Sequence, residues 1–121
     1  MSPTSALALG CMHFAGHRGS CETDPVSIHV RARTALETAW QSGYRLFDHA
    51  DIYCGGESEK VFALVAKELG LQRSDYLLQT KCGIRPGNHE RPTRYDFSKN
   101  YILESVEGSL RRLDTDFIDV L

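Results

Sequence analysis

The 121 residues carry sixteen acidic and fourteen basic side chains, a formal net charge of −2, and 41% hydrophobic and 25% charged content. That composition fits one globular domain at most, and with no long single-sign run it excludes the charge footprint of a nucleic-acid or anionic-membrane binder. No stretch approaches the roughly 18 to 20 apolar residues of a membrane span, and the Ser2-Pro3-Thr4-Ser5 start lacks a charged region ahead of an apolar core, so a cytoplasmic protein with no membrane partner is expected.

Short apolar runs alternate with longer segments of helical period, the pattern of strand-helix units around a parallel sheet, so the fold class is α/β. The first run, Leu7-Ala8-Leu9-Gly10-Cys11-Met12, leads into a polar loop through Gly16, Gly19 and Ser20, where an active-site loop would sit. Cys11 and His13 would share one side of a strand, but a structural zinc needs about four ligands, so no metal is assigned. Cys11, Cys21, Cys54 and Cys82 lie at wide, irregular spacings with no C-x-x-C pair, and free thiols are expected.

Asp24-Pro25 offers an N-cap followed by proline at the first helical position, where its missing N–H costs nothing. Ile28, Ala32, Ala35, Leu36, Ala39 and Trp40 then recur at helical steps until Gly43 stops the helix. A second strand covers residues 44–48. The acidic Glu57-Ser58-Glu59 stretch favours a helix N-terminus, and the helix runs to about Leu69 with Val61, Phe62, Leu64, Val65 and Leu69 as its apolar stripe and Gly70 as its cap.

The third strand covers residues 76–81. Residues 83–96 form a long Pro-, Arg- and Gly-rich connection, of the kind that is functional or mobile. Ser98 caps a third helix with Tyr101, Ile102, Val106, Leu110 and Leu113 at the 3.6-residue period, and residues 117–121 begin a fourth strand. A buried parallel strand is an unusual place for a terminus, so the architecture is expected to continue beyond Leu121.

Strand parity puts Leu46 and Asp48 on one face, and Leu77, Gln79 and Lys81 on one face. An acid and a lysine therefore end adjacent strands and can meet at the rim of a (β/α) barrel, with Tyr53 leaning over both. A phenol with a pKa of about 10 is a weak acid at neutral pH, and a nearby ammonium makes it a better proton donor. Asp48 would hold Lys81 charged and oriented. Such a trio suits acid-base chemistry on a carbonyl or alcohol; the same pair equally serves as a structural salt bridge.

The run Phe47-Asp48-His49-Ala50-Asp51-Ile52-Tyr53, followed by Gly55, Gly56, Ser58 and Glu59, resembles the signature of the aldo-keto reductase family. The likeness continues through Thr80-Lys81-Cys82-Gly83 and through residues 105–119, Ser-Val-Glu-Gly-Ser-Leu-Arg-Arg-Leu-Asp-Thr-Asp-Phe-Ile-Asp. It implies the (β/α)8 TIM barrel, of which residues 1–121 would be one N-terminal part holding the first four strands and three helices and truncated within the fourth strand.

The resemblance further implies an NADP-dependent oxidoreductase acting on a small-molecule carbonyl or alcohol, with Asp48, Tyr53 and Lys81 catalytic and NADP(H) as cofactor. Gly10, Cys11, Met12 and Asp48 would touch the nicotinamide end. The family's fourth catalytic residue, a histidine, would fall shortly beyond Leu121, and its phosphate- and adenine-gripping residues come from later strands. The fragment alone is therefore expected to be inactive, and its open sheet edges invite self-association. Cys54 stands where the motif most often has glycine, and His49 where threonine is common; His49 reads as structural or positioning. The alternative is a non-catalytic binding or regulatory module, as this barrel provides for membrane channels, or a truncated remnant.

Overall fold

A computed structural model describes residues 6–17 and 20–121, so Gly19 and the Ser2-Pro3-Thr4-Ser5 start lie outside the described residues. In chain order the strands are β1 (Ala8–Gly10), β2 (Gly16–His17), β3 (Ser20–Cys21), β4 (Leu46–Asp48), β5 (Leu77–Gln79), β6 (Ile84–Arg85) and β7 (Arg94–Tyr95). The helices are α1 (Pro25–Gln41), α2 (Glu57–Glu68) and α3 (Lys99–Arg112). The sheet is parallel, ordered β1-β4-β5, with rows Ala8–Leu46–Leu77, Leu9–Phe47–Leu78 and Gly10–Asp48–Gln79.

Alternation along these strands separates two faces. The middle row points to the helices, and Phe47 and Leu78 are fully buried there. The other two rows form a face with no helix on it, where Leu46, Leu77, Asp48 and Gln79 are half-buried and Ala8 and Gly10 exposed. This is a partial α/β barrel with no closure among the described residues.

Both expected caps on α1 are present: Asp24 accepts from the backbone N–H groups of Val26 and Ser27, and Pro25 takes the first position. Ala32, Leu36 and Ala39 bury its apolar face, and α1 packs on α2. Gly43 (φ 87°) and Gly70 (φ 68°) take the left-handed conformation just past α1 and α2, as a helix stop requires. Phe62 is the hub of the core, 5.1 Å from Phe47 and 5.8 Å from Tyr76 between ring centroids. Truncating it to alanine would cost about 3–5 kcal/mol. Ser98 accepts from the Tyr101 N–H to cap α3.

Several expectations need correction. The first strand ends at Gly10 and turns at Met12, so Cys11 and His13 are not on one strand face. The two loops become short antiparallel hairpins, β2–β3 and β6–β7, because their chains fold back far enough to pair backbone groups that water would otherwise hold. Leu64 is exposed rather than part of the α2 stripe, and Ala66 takes its place in the core.

The fourth strand reduces to one bridge, Gln79 to Val120. The Asp119 carboxylate accepts the Leu78 N–H at 2.8 Å, using a donor that a ladder would need, while the Asp119 and Val120 N–H groups both go to the Leu78 carbonyl.

The largest correction concerns the cysteines. Cys21 and Cys54 form a disulfide, with their Cα atoms 5.4 Å apart, and only Cys11 and Cys82 are free thiols. Sequence spacing carries no trace of this pairing, since the β2–β3 hairpin alone brings Cys21 to the turn after Tyr53. No described helix is long and apolar enough to cross a membrane.

Candidate active site

Backbone pairing between β4 and β5 continues past the strands and fixes the site. The His49 N–H donates to the Gln79 carbonyl at 2.8 Å, and the Asp51 N–H to the Lys81 carbonyl at 3.1 Å. Asp48 and Gln79 are register partners on the open face, and two further residues along, Lys81 returns to that face. The Lys81 ammonium donates to Asp48 Oδ1 at 2.5 Å and to the His49 carbonyl at 2.5 Å. Gln79 Nε2 donates to the same Asp48 oxygen at 2.8 Å.

Tyr53 arrives by a tight turn, its N–H on the Ala50 carbonyl at 3.2 Å, which leaves Lys81 Nζ 5.2 Å from the centre of its ring. Burial pulls the Lys81 ammonium down, but its hydrogen bond to Asp48, the Asp48 charge and the Tyr53 phenol beside it outweigh that and hold it above its ordinary value. Lys81 is thus a fixed cation at neutral pH. A carboxylate, an ammonium and a phenol stand in contact order, an arrangement able to move a proton at an oxygen.

The sequence-predicted trio is therefore brought together. The other expected residues separate: Gly10 lies beside Asp48 with nothing within 4 Å of where a Cβ would be, and Met12 is half exposed. The Cys11 side chain is buried in the core, its N–H on the Asp48 carbonyl at 2.8 Å, so it supports the floor from beneath.

A pocket of about 150 Å³ adjoins the trio, lined by Ala50, Asp51, Ile52, Tyr53, Lys81, Cys82 and Ile84. Burial and the charge of Glu59 push the Asp51 carboxyl up. Among the described residues no three or more His, Cys, Asp or Glu side chains gather as metal ligands would.

Sequence reasoning missed the polar scaffold behind the site. Glu59, assigned only to the helix dipole, is fully buried, accepting from Thr80 Oγ1 at 2.7 Å and Arg112 Nε at 2.6 Å. It joins α2, which follows Tyr53, to the residue before Lys81 and to the end of α3. Its presence in a Gly-x-Ser-Glu run and the Arg111-Arg112 pair were the signals available. Arg73 plays a similar part, donating to Asp119, the Phe117 carbonyl and Thr115 Oγ1. His49 is fully buried edge-on to Phe62, neither ring nitrogen has a partner, and burial above all pushes its imidazole down to about 3.

Known proteins resemble this chain in sequence and in fold. The profile of the aldo/keto reductase family matches residues 6–121. The chain is 46% identical over 91 residues to the oxidoreductase YcsN of Bacillus subtilis, covering 71% of this chain and 30% of that protein. It is 37% identical over 89 residues to a Schizosaccharomyces pombe protein named as a voltage-gated potassium channel β subunit, covering 74% and 26%. Aldo-keto reductase AKR11C1 from Bacillus halodurans, solved in holo form, superposes with a TM-score of 0.72 at 34% identity, over 93% of this chain and 33% of that one.

Proposed function

The chain belongs to the aldo/keto reductase family, and we propose that it carries the acid-base part of an NADP-dependent reductase of small-molecule carbonyls, with Tyr53 as the proton donor. The observation that carries this reading is the position of Lys81 Nζ, bound to Asp48 and to the His49 carbonyl while standing over the Tyr53 ring. In reduction Tyr53 Oη gives its proton to the carbonyl oxygen, and the ammonium beside it offsets the negative charge left on the phenol. Asp48 keeps Lys81 from turning to solvent.

NADP(H) supplies the hydride when bound. The residues present fit its nicotinamide end: Gly10 leaves open space next to Asp48, and Met12 is accessible at the same edge. The chain spans 26% and 30% of the two curated relatives described above, so we read these 121 residues as inactive by themselves. When they are joined to the later strands of such a barrel, Tyr53→Phe should abolish turnover while NADPH binding persists. Unchanged turnover would overturn the role of Tyr53.

The likeness to a channel β subunit favours a second reading, a non-catalytic binding module. A joined protein that binds a partner and shows no turnover with any carbonyl would support it. We also propose that the isolated chain self-associates, because Val120 and Leu121 are exposed beside a sheet edge and Leu46 and Leu77 lie half-open on the inner face. A monomer in size-exclusion chromatography at all concentrations would overturn that.

A further inference from the structure

We propose that the Cys21–Cys54 disulfide is a reversible latch, reducible by an external dithiol in the folded protein, that ties the β2–β3 hairpin to the turn carrying Tyr53. Three observations carry it. The first is position: Cys54 directly follows Tyr53 and sits at φ 49°, ψ 47°, the left-handed region that a non-glycine residue seldom adopts. Gly55 and Gly56 continue the turn at φ 62° and 94°. A covalent bond to the hairpin holds Cys54 there.

The second is access. Cys21 is exposed on its strand and Cys54 half-buried, so an incoming thiolate can reach the Cys21 sulfur without unfolding the core. The third is isolation within the chain. Cys11 is buried and burial pushes its thiol up; the Cys82 thiol is likewise raised, by burial and by Asp51. Both shifts lower the thiolate available for internal exchange, which favours opening by a reagent from outside.

Reduction leaves much of the hairpin in place, since Arg31 Nη1 still donates to the Gly16 carbonyl at 3.0 Å and the Glu22 N–H to the Ala15 carbonyl at 2.9 Å. The Tyr53 turn loses more. It keeps the Tyr53 N–H on Ala50 at 3.2 Å and the Gly55 N–H on Ile52 at 3.1 Å, both local bonds. The hairpin itself sits against the bridge, for a Cβ on Gly16 would lie 3.0 Å from Cys54 Sγ.

The chemistry is two-electron exchange. One thiolate of the dithiol attacks the Cys21 sulfur, forming a mixed disulfide and expelling the Cys54 thiolate, which takes up a proton. The second thiolate of the reagent then closes on the first sulfur, expelling the Cys21 thiolate, and the reagent leaves as a disulfide. That the latch bears on catalysis rests on the proton-donor role given to Tyr53; that it exists does not.

The test uses the 121-residue chain with dithiothreitol as reductant. Purified in air and alkylated after denaturation, it should carry label on Cys11 and Cys82 alone; label on Cys21 and Cys54 without reductant would overturn the bridge. Under native conditions dithiothreitol should make Cys21 and Cys54 reactive while Cys11 stays protected, and the bridge should re-form in air once the reductant is removed; opening only with global unfolding, or failure to re-form, would overturn the latch. Amide hydrogen exchange at Cys54 and Gly55 should quicken by about tenfold on reduction while the near-ultraviolet circular dichroism of the Trp40–Tyr76 core stays unchanged, the mark of a local opening. Unchanged exchange at the turn would overturn the latch. Cys21→Ser should reproduce the reduced state with the turn sequence intact, and exchange there as slow as in the oxidised chain would overturn the proposal. Failure of Tyr53→Phe to lower turnover would remove the proton-donor role and leave these outcomes standing.

Discussion

Two clusters of charge sit on opposite sides of β5, and they use the same kinds of residue differently. On the open face Lys81 and Asp48 keep 44% and 28% of their side-chain surfaces, and a phenol stands beside them. On the helix side Glu59 is fully buried, with both carboxylate oxygens taken, by Thr80 and Arg112. The first pair leaves polar capacity facing solvent, where another molecule can use it. The second consumes its capacity in holding α2, α3 and β5 together. What separates a reactive site from a scaffold here is the unspent surface, since the charges themselves are alike.

That contrast can be broken or sharpened by substitution. The largest effect is expected on the helix side, where Glu59→Ala strands Arg112 and Thr80 and should lower unfolding free energy by about 3 kcal/mol in urea titration. A loss below about 1 kcal/mol would place this network with ordinary surface pairs. Reduction of the bridge, whose cysteines are 33 residues apart, should cost a comparable amount, about 3 kcal/mol in the chain-entropy account, read as a lower melting temperature in dithiothreitol.

His49 supplies an effect of defined sign, intermediate in size at about pH 5. Its imidazole titrates near 6.5 when unfolded but is pushed to about 3 in the folded chain, so between those values the unfolded state binds the extra proton. Stability should therefore be unaffected above about pH 6.5 and fall by about 1.4 kcal/mol per pH unit below it, until the folded-state value is reached. His49→Leu should flatten that slope in urea midpoints measured from pH 7 to pH 4. An unchanged slope would assign acid sensitivity to the carboxylates instead.

The smallest stability effect belongs to the open face. Asp48→Asn should change unfolding free energy by less than about 1 kcal/mol, because the pair it breaks is partly solvated. In the barrel-completed protein the same change should nonetheless cut kcat more than KM, as Lys81 loses its orientation. A large stability loss with intact kcat would make Asp48–Lys81 a second scaffold.

Much of this was legible beforehand where local rules decide. The Asp24-Pro25 cap, the α1 stripe and the Asp48-Tyr53-Lys81 convergence follow from period and parity, which depend on neighbours in sequence. Glu59 was misjudged because its partners are Thr80 and Arg112, far along the chain, and no periodicity reports a burial created by three elements meeting. The Cys21–Cys54 bridge escaped for the same reason. Spacing alone puts Leu64 in the α2 stripe, yet on a helix that packs against both α1 and α3 the buried face includes Ala66 instead.

Arg73 gives the segment after α3 an unusual mode of attachment. Its guanidinium stacks 3.9 Å from the centre of the Phe117 ring, grips Asp119 and meets two carbonyls, beside a single ladder bridge at Val120 and its few backbone bonds to Leu78 and Thr80. One side chain therefore shares with a short run of backbone bonds the work that ladder rungs do alone between β1, β4 and β5. Opening of that segment becomes a question of ionic strength: added salt weakens the arginine's hold and lets the edge of β5 breathe, while β1 and β4, joined by rungs that salt does not screen, stay closed.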